Sequence, residues 1–312
     1  MREDYPKTIL ELERRFATDE ACREYLFQLR WPDGFVCPRC RGGSAWTASR
    51  GRLVCQTCRH QTSVTAGTIF QDTRTPLTMW FRAAWYVTSQ KNGTSAANIQ
   101  RILGLRSYQT AWTWLHKLRR AMVRPGRDKL HGRVEVDETF VDREDSQGLW
   151  VSQKMAVVIA AEEDGRGIGR IRLARIDSPT KDVLHDFALA MIAPGSFVHT
   201  DGRTAWKGLQ RLGYRHKQTV LLGKKDKNAA SRLLPRVHRV ASLLKRWLLG
   251  THQGAVAPAH LDYYLDEFTF RFNRRTSRSR GKLFYRLLQQ AVEIPPTTYR
   301  QIIGGGPRQQ ND

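Results

Sequence analysis

Through the first 125 residues, apolar positions recur mostly with a helical period. Cys22, Tyr25, Leu26 and Leu29 share one face between residues 18 and 30, and Trp31-Pro32-Asp33-Gly34 ends that segment. A short alternating stretch lies around Gln61 to Phe70. Pro76 then opens an apolar helix through Trp80, Ala83, Ala84 and Val87, which Asn92-Gly93 breaks. Thr94-Ser95 caps a second helix over Ala96 to Leu103, Gly104-Leu105 turns the chain, and a third runs from Ser107 through Ala111, Trp114, Leu115 and Leu118 to Met122. Helix, glycine turn, helix is the outline of a helix-turn-helix. Its second helix is expected to expose Arg106, Tyr108, Gln109, Lys117, Arg119 and Arg120 for groove and phosphate contact.

After the linker at Pro125-Gly126 the period changes from helix to strand. Val134 to Val141 alternates, Lys154 to Ala161 is a buried apolar run, and Ile168 to Ile176 alternates again across a Gly165-Arg166-Gly167 hairpin. A helix is predicted from Thr180 to Ile192, a strand over Phe197 to Thr200, a helix from Thr204 to Leu212 and a strand over Tyr214 to Val220. Helices over Val237 to Leu249 and Pro258 to Phe272 follow. Three antiparallel strands, helix, strand, helix, strand and then helices is the order of an RNase H-like α/β domain. The expected architecture is therefore a mixed sheet with flanking helices over residues 130–295. A small N-terminal module (1–70) and a helix-turn-helix-like module (71–125) precede it, and a disordered tail (303–312) follows.

Composition narrows the partners. The chain has 312 residues, 40% of them hydrophobic, and a formal net charge of +23, which predicts attraction to polyanions. The longest clean apolar run, Met155 to Ala161, is far short of the roughly 20 residues that span a bilayer. The mixed-charge N-terminus lacks the apolar core of a signal peptide, so the expected location is cytoplasmic and nucleoid-associated, with no membrane partner.

The cysteines supply the most specific local signal. Cys37-Pro38-Arg39-Cys40 and Cys55-Gln56-Thr57-Cys58 form two C-x2-C turns separated by 14 residues. Each turn points two sulfurs at one metal, and together they complete a tetrahedron. A closed four-thiolate site implies a structural zinc. Cys22, on an apolar helix face, is read as core.

In the second domain Asp137 shares a strand face with Glu135, Thr139 and Val141, while Asp201 ends a later strand before a glycine. If those strands are neighbours, two hard oxygen donors meet at one divalent cation of the kind used in phosphoryl transfer. Glu135, Glu138, Asp142, Glu144 and Asp145 crowd the same region, and residue physics alone does not choose Asp137 over Glu135.

Val134-Glu135-Val136-Asp137-Glu138-Thr139-Phe140, His199-Thr200-Asp201-Gly202 and the run from Val237-His238-Arg239 to Gly250-Thr251-His252 resemble the ISXO-type bacterial insertion-sequence transposases. The four-cysteine ribbon, Tyr263 to Phe268 and Phe270 to Arg275 extend the resemblance from about residue 15 to residue 292. It implies that Asp137 and Asp201 are the first two residues of a DDE-type triad. Family members with a glutamate at the third position carry a lysine seven residues later; Lys245 fits that lysine and places His238 at the triad position, with Glu267 the alternative. Imidazole is a poor Mg²⁺ ligand and a better one for Mn²⁺. Lys245 would meet a phosphate near the scissile bond. A basic track of Arg271, Arg274, Arg275, Arg278, Arg280 and Lys282 would follow the DNA backbone, with Lys224, Lys225 and Lys227 a second cluster.

The resemblance thus implies a transposase that binds element ends and target as double-stranded DNA. It would cut and join strands with two Mg²⁺ or Mn²⁺ ions, as a dimer or larger assembly. A non-catalytic zinc-ribbon regulator or inactive relic, and a nuclease that does not join, are the rival expectations.

Overall fold

The computed structural model describes residues 3–124, 126–144, 150–220, 232–253 and 256–304. The chain divides into two compact units, one formed by residues 1–124 and 276–306, the other essentially by 125–275. Among the described residues no helix is long and apolar enough to cross a membrane.

The first unit begins with α1 (Ile9–Arg15) and α2 (Asp19–Arg30), each opened by a threonine, Thr8 or Thr18, whose hydroxyl accepts the N–H three residues on. A three-stranded antiparallel sheet follows, β1 (Ala45–Ala48), β2 (Arg52–Cys55) and β3 (Gln61–Thr62). Next come α3 (Leu77–Ser89), α4 (Ala96–Leu103) and α5 (Tyr108–Arg120). Ser95 caps α4, and Gly104 ends it in the left-handed region at φ 62°, where a side chain would be strained. Ile99, Leu103, Ala111, Leu115 and Leu118 are buried between these helices, and Trp114 stacks on Trp80 with ring centroids 4.1 Å apart. The expected helix-turn-helix outline is present.

The second unit is a five-stranded sheet of β4 (Arg133–Glu144), β5 (Trp150–Asp164), β6 (Gly167–Ile176), β7 (Phe197–Asp201) and β8 (Arg215–Thr219). Their order is β6-β5-β4-β7-β8. β4, β5 and β6 pair antiparallel, whereas β4–β7 and β7–β8 pair parallel, the RNase H-like arrangement. Alternation divides the core into two layers. Val141, Met155, Val157, Ile159, Ile171 and Leu173 face α7 (Pro235–His252) and α8 (Leu261–Phe272). Val134, Val136, Ala156, Val158 and Ala160 face α6 (Lys181–Met191), Trp206, Leu209 and Tyr214.

Two expectations change. The helix expected over residues 204–212 is two 3₁₀ turns, Thr204–Trp206 and Leu209–Leu212, divided by Gly208 at φ 100°. The α/β domain, expected to run to residue 295, gives up the chain at Arg275. The helices α9 (Arg280–Ala291) and α10 (Tyr299–Ile303) belong to the first unit, where Phe284 meets Phe81 and Trp85 edge to face. The expected tail lies outside the described residues apart from Ile303 and Gly304, as do Lys224, Lys225 and Lys227.

Candidate active site and zinc ribbon

The placement of the acids begins with register. β4 and β7 run parallel with Arg133, Val134, Glu135 and Val136 opposite Phe197, Val198, His199 and Thr200. One further step along both strands sets Asp137 beside Asp201 on the same face of the sheet. There β7 ends, because Gly202 passes so close to the chain that a Cβ on it would lie 2.7 Å from Val220 Cα.

Glu135, two residues before Asp137, is occupied otherwise. Its carboxylate accepts the backbone N–H groups of Arg236 (2.7 Å) and Val237 (3.1 Å) and pairs with the Arg236 guanidinium at 2.8 Å. A carboxylate over the first turn of a helix satisfies orphan donors and meets the positive end of the dipole. The geometry therefore separates the two acids that composition could not: Glu135 anchors α7 to β4, and Asp137 is left facing the cleft. The same anchor brings His238 over the strand, its Nε2 3.6 Å from Asp137 Oδ2.

Ligand oxygens of Asp137, Glu138 and Asp201 all lie within 4.8 Å of one another. Burial, then the charge of Asp201, pushes the Asp137 carboxyl up to about 6, against an opposing hydrogen bond from the Glu138 N–H. Burial likewise pushes Glu138 up to about 7, with Arg203 opposing and the two aspartates reinforcing. Arg203 Nε lies 3.6 Å from Glu138 Oε2. The adjoining cleft, about 250 Å³, is lined by Asp137, Glu138, Phe140, His238, Ala241 and Lys245. His238 and Lys245, seven residues apart, share the cleft face of α7 with Ala241.

Glu138 was not singled out by its position in sequence, because neighbours on a strand point to opposite faces. The missing signal is the early end of β7. Past Asp137 that edge of β4 has no partner strand among the described residues until Arg143 bridges Val256, and a glutamate is long enough to reach the gap. Glu267, the alternative third acid, is not in the cluster; it is buried on α8 and paired with Arg271 on its own helix at 2.9 Å.

Several expected DNA contacts are corrected by burial. Arg119 is 1% exposed, with Nη1 3.5 Å from His116 Nε2, because residue 119 falls on the packed face of α5. Arg106 is exposed as expected, Arg120 is half-buried, and Lys117 is half-buried in a groove of about 300 Å³ that Trp80, Gln109 and Trp114 also line. Arg271 is turned inward to Glu267. Arg274 donates to the Phe270 carbonyl and covers that ring at 4.1 Å. Arg275 donates to carbonyls of Ile168, Gly169 and Phe272. Asn273 between them accepts from the Ile171 N–H at 2.8 Å and donates to its carbonyl at 3.2 Å, serving the free edge of β6 as a partner strand would. Much of the basic run is thus tied into the fold, while Arg278 is exposed.

In the first unit the four thiols converge. Sγ atoms of Cys37 and Cys58 are 3.7 Å apart and those of Cys40 and Cys55 are 3.6 Å apart, all four within 4.8 Å of one another. Such separations are too long for disulfides and match sulfurs at the corners of a tetrahedron with metal–sulfur bonds of about 2.3 Å. This donor set fits a structural zinc.

Comparison with known proteins agrees with the geometry. Residues 129–273 match the ISXO2-like transposase domain, and residues 17–61 match the transposase zinc-ribbon domain. An uncharacterized protein in the transposable element ISH50 of Halobacterium salinarum is 26% identical over 290 residues, covering 86% of this chain and 95% of that protein. A chain of a simian T-cell lymphotropic virus intasome, solved with PP2A regulatory subunit B56 gamma, covers 64% of this chain and 74% of its own at 14% identity. Its TM-score of 0.33 is too low to carry an argument. With ribbon and α/β domain matched in chain order, and the carboxylates meeting inside the matched domain, the chain belongs to the ISXO2-like insertion-sequence transposases.

Proposed function

We propose that this transposase cuts and joins DNA strands at the cleft between β4, β7 and α7, with Asp137 and Asp201 as ligands for divalent cations. The observation that carries the reading is the placement of Asp137 and Asp201 at adjacent register positions, with oxygens in one cluster. Mg²⁺ or Mn²⁺ bound there would lower the pKa of an attacking water or 3′-hydroxyl and stabilise charge on the leaving oxygen.

Hydrolysis exchanges a bridging oxygen of the element-end phosphodiester for a water oxygen and frees a 3′-hydroxyl. Joining exchanges a target 3′-oxygen for that hydroxyl, so no external energy source is needed. Asp137 and Asp201 would hold the cations to which the reacting phosphate binds, and Lys245, exposed on the cleft face, would draw an adjacent phosphate in. His238, beside Asp137, would move the proton that leaves the nucleophile. Recognition of element ends falls to the zinc ribbon and helix-turn-helix, through Arg106 and the half-buried Lys117 and Arg120. Arg278 adds backbone attraction, and two copies are needed to hold two ends.

The test is a cleavage and strand-transfer assay on the flanking terminal repeats with Mg²⁺ or Mn²⁺. Asp137→Asn and Asp201→Asn should each abolish cleavage and joining, and His238→Ala should slow both. Unchanged activity in either aspartate variant would refute the assignment. Cleavage without joined product would make the protein a nuclease.

A further inference from the structure

The cluster of three acids contains one member whose environment is unexplained by the fold. The side chain of Glu138 is only 2% exposed, and its Oε1 has no hydrogen-bond partner among the described residues. Burying a carboxylate oxygen unpaired is costly, and native structures rarely keep one without a reason. Arg203 does not supply it: its Nε is 3.6 Å from the other oxygen, Oε2, and its own side chain is 40% exposed. The unpaired group lies where oxygens of Asp137 and Asp201 also converge within 4.8 Å. The Nε2 of His238 is likewise buried without a hydrogen-bond partner among the described residues and lies 3.6 Å from Asp137 Oδ2. His238 is not one of the clustered ligands, however, and that sets it outside the group of three acids.

We propose that Glu138 is the third carboxylate ligand of the divalent-cation site. The ligand set Asp137, Glu138 and Asp201 then comes wholly from β4 and the end of β7, and the imidazole of His238 stays outside it. This rests on the reading that Asp137 and Asp201 hold a divalent cation.

Three points of chemistry favour it. Three carboxylate oxygens make a hard donor set suited to Mg²⁺ as well as Mn²⁺, which an imidazole in the third place would not. A cation among them would give the buried Glu138 carboxylate a charge partner. Adjacent residues on one strand can both reach it only because β7 stops at Asp201, leaving that edge of β4 open to the longer glutamate. Arg203, anchored two residues after Asp201 by its N–H to Asp201 Oδ1 at 3.1 Å, is then a partial counter-charge for the cation-free form.

The test reads metal binding and not turnover. Mn²⁺ is titrated into the full-length, zinc-loaded protein without DNA, following free Mn²⁺ by electron paramagnetic resonance. Variants are checked for wild-type zinc content and melting. Glu138→Gln should weaken Mn²⁺ binding about tenfold or more, as should Asp137→Asn, whereas His238→Ala should change it less than about threefold. If Glu138→Gln does not fold, Glu138→Asp keeps the charge but shortens the reach, and it too should bind more weakly. Wild-type affinity in the glutamate variants with a loss in Asp137→Asn would overturn the role of Glu138 and leave the aspartate site standing. Wild-type affinity in Asp137→Asn as well would remove both.

Discussion

Carboxyl groups brought together under partial burial resist ionisation, and at Asp137 and Glu138 this has a consequence for stability. Both are raised in the cation-free protein, to about 6 and about 7, chiefly by burial. In the unfolded chain they titrate near 4. Each contribution is therefore fully present below about pH 4 and is lost as pH rises through about 6 to 7. His185, His199 and His216 are lowered by burial and act in the opposite sense, so the acids are read from the difference between proteins. In thermal melts of protein carrying zinc but no other divalent ion, the stability of wild type relative to Asp137→Asn should fall from pH 5 to pH 8. Mn²⁺ should restore stability at pH 8, where the carboxylates are already ionised and bind it in the folded state. An identical pH slope in wild type and variant would contradict this account of the site. At this scale the sequence was only partly legible. Asp201 is marked by Asp-Gly at a strand end, but Asp137 and Glu135 share a face, and only the position of α7 assigns one to the helix and the other to the cleft. Arg119 and Arg271 look like surface cations until the faces of their helices are known.

Elements set the distances between those residues. The Glu135–Arg236 pair is almost buried, with side chains 7% and 17% exposed, and ties α7 to β4 within one turn of His238. Removing one partner leaves the other charge uncompensated, so Glu135→Ala should destabilise the second unit by about 3 kcal/mol. Denaturant unfolding checks it, and a loss under about 1 kcal/mol would show that the anchor is dispensable. Gly202 is the second control point. An alanine there must push the chain from Val220, so Gly202→Ala should leave a folded protein with joining reduced by about tenfold or more, because Asp201 moves with the turn. Wild-type joining would show that the close approach does not position the acid. Strand and helix order was legible from period alone, since buried β5 and alternating β6 carry different signatures. Gly208 was the point at which the pattern misled: apolar spacing over 204–212 reads as one helix, but a left-handed glycine splits it.

For the whole molecule, the zinc ribbon and the proposed divalent-cation site lie in different units. The Cys37–Cys58 cluster lies in the first and the acid cluster in the second. Stripping zinc, or substituting Cys37→Ser, should therefore unfold the ribbon and weaken specific end binding while sparing Mn²⁺ binding at the acids. Loss of Mn²⁺ binding after zinc removal would contradict that separation. A net charge of +23 also predicts that residual, non-specific DNA binding will fall steeply with salt. The helix α9 was not read from the sequence, where Arg280 and Lys282 look like part of a basic track, and even an amphipathic pattern names a buried face but not its partner. Phe284 settles it by packing among Phe81 and Trp85 of the first unit.

The claim on which the account turns is that Asp137 and Asp201 touch the reacting metal. A metal-specificity exchange tests this most directly, through strand transfer by Asp201→Cys with Mg²⁺ and with Mn²⁺. A thiolate is a poor ligand for Mg²⁺ and a better one for the softer ion. The account predicts no joined product in Mg²⁺ and a measurable return in Mn²⁺; joining in Mg²⁺ at the wild-type rate would contradict it.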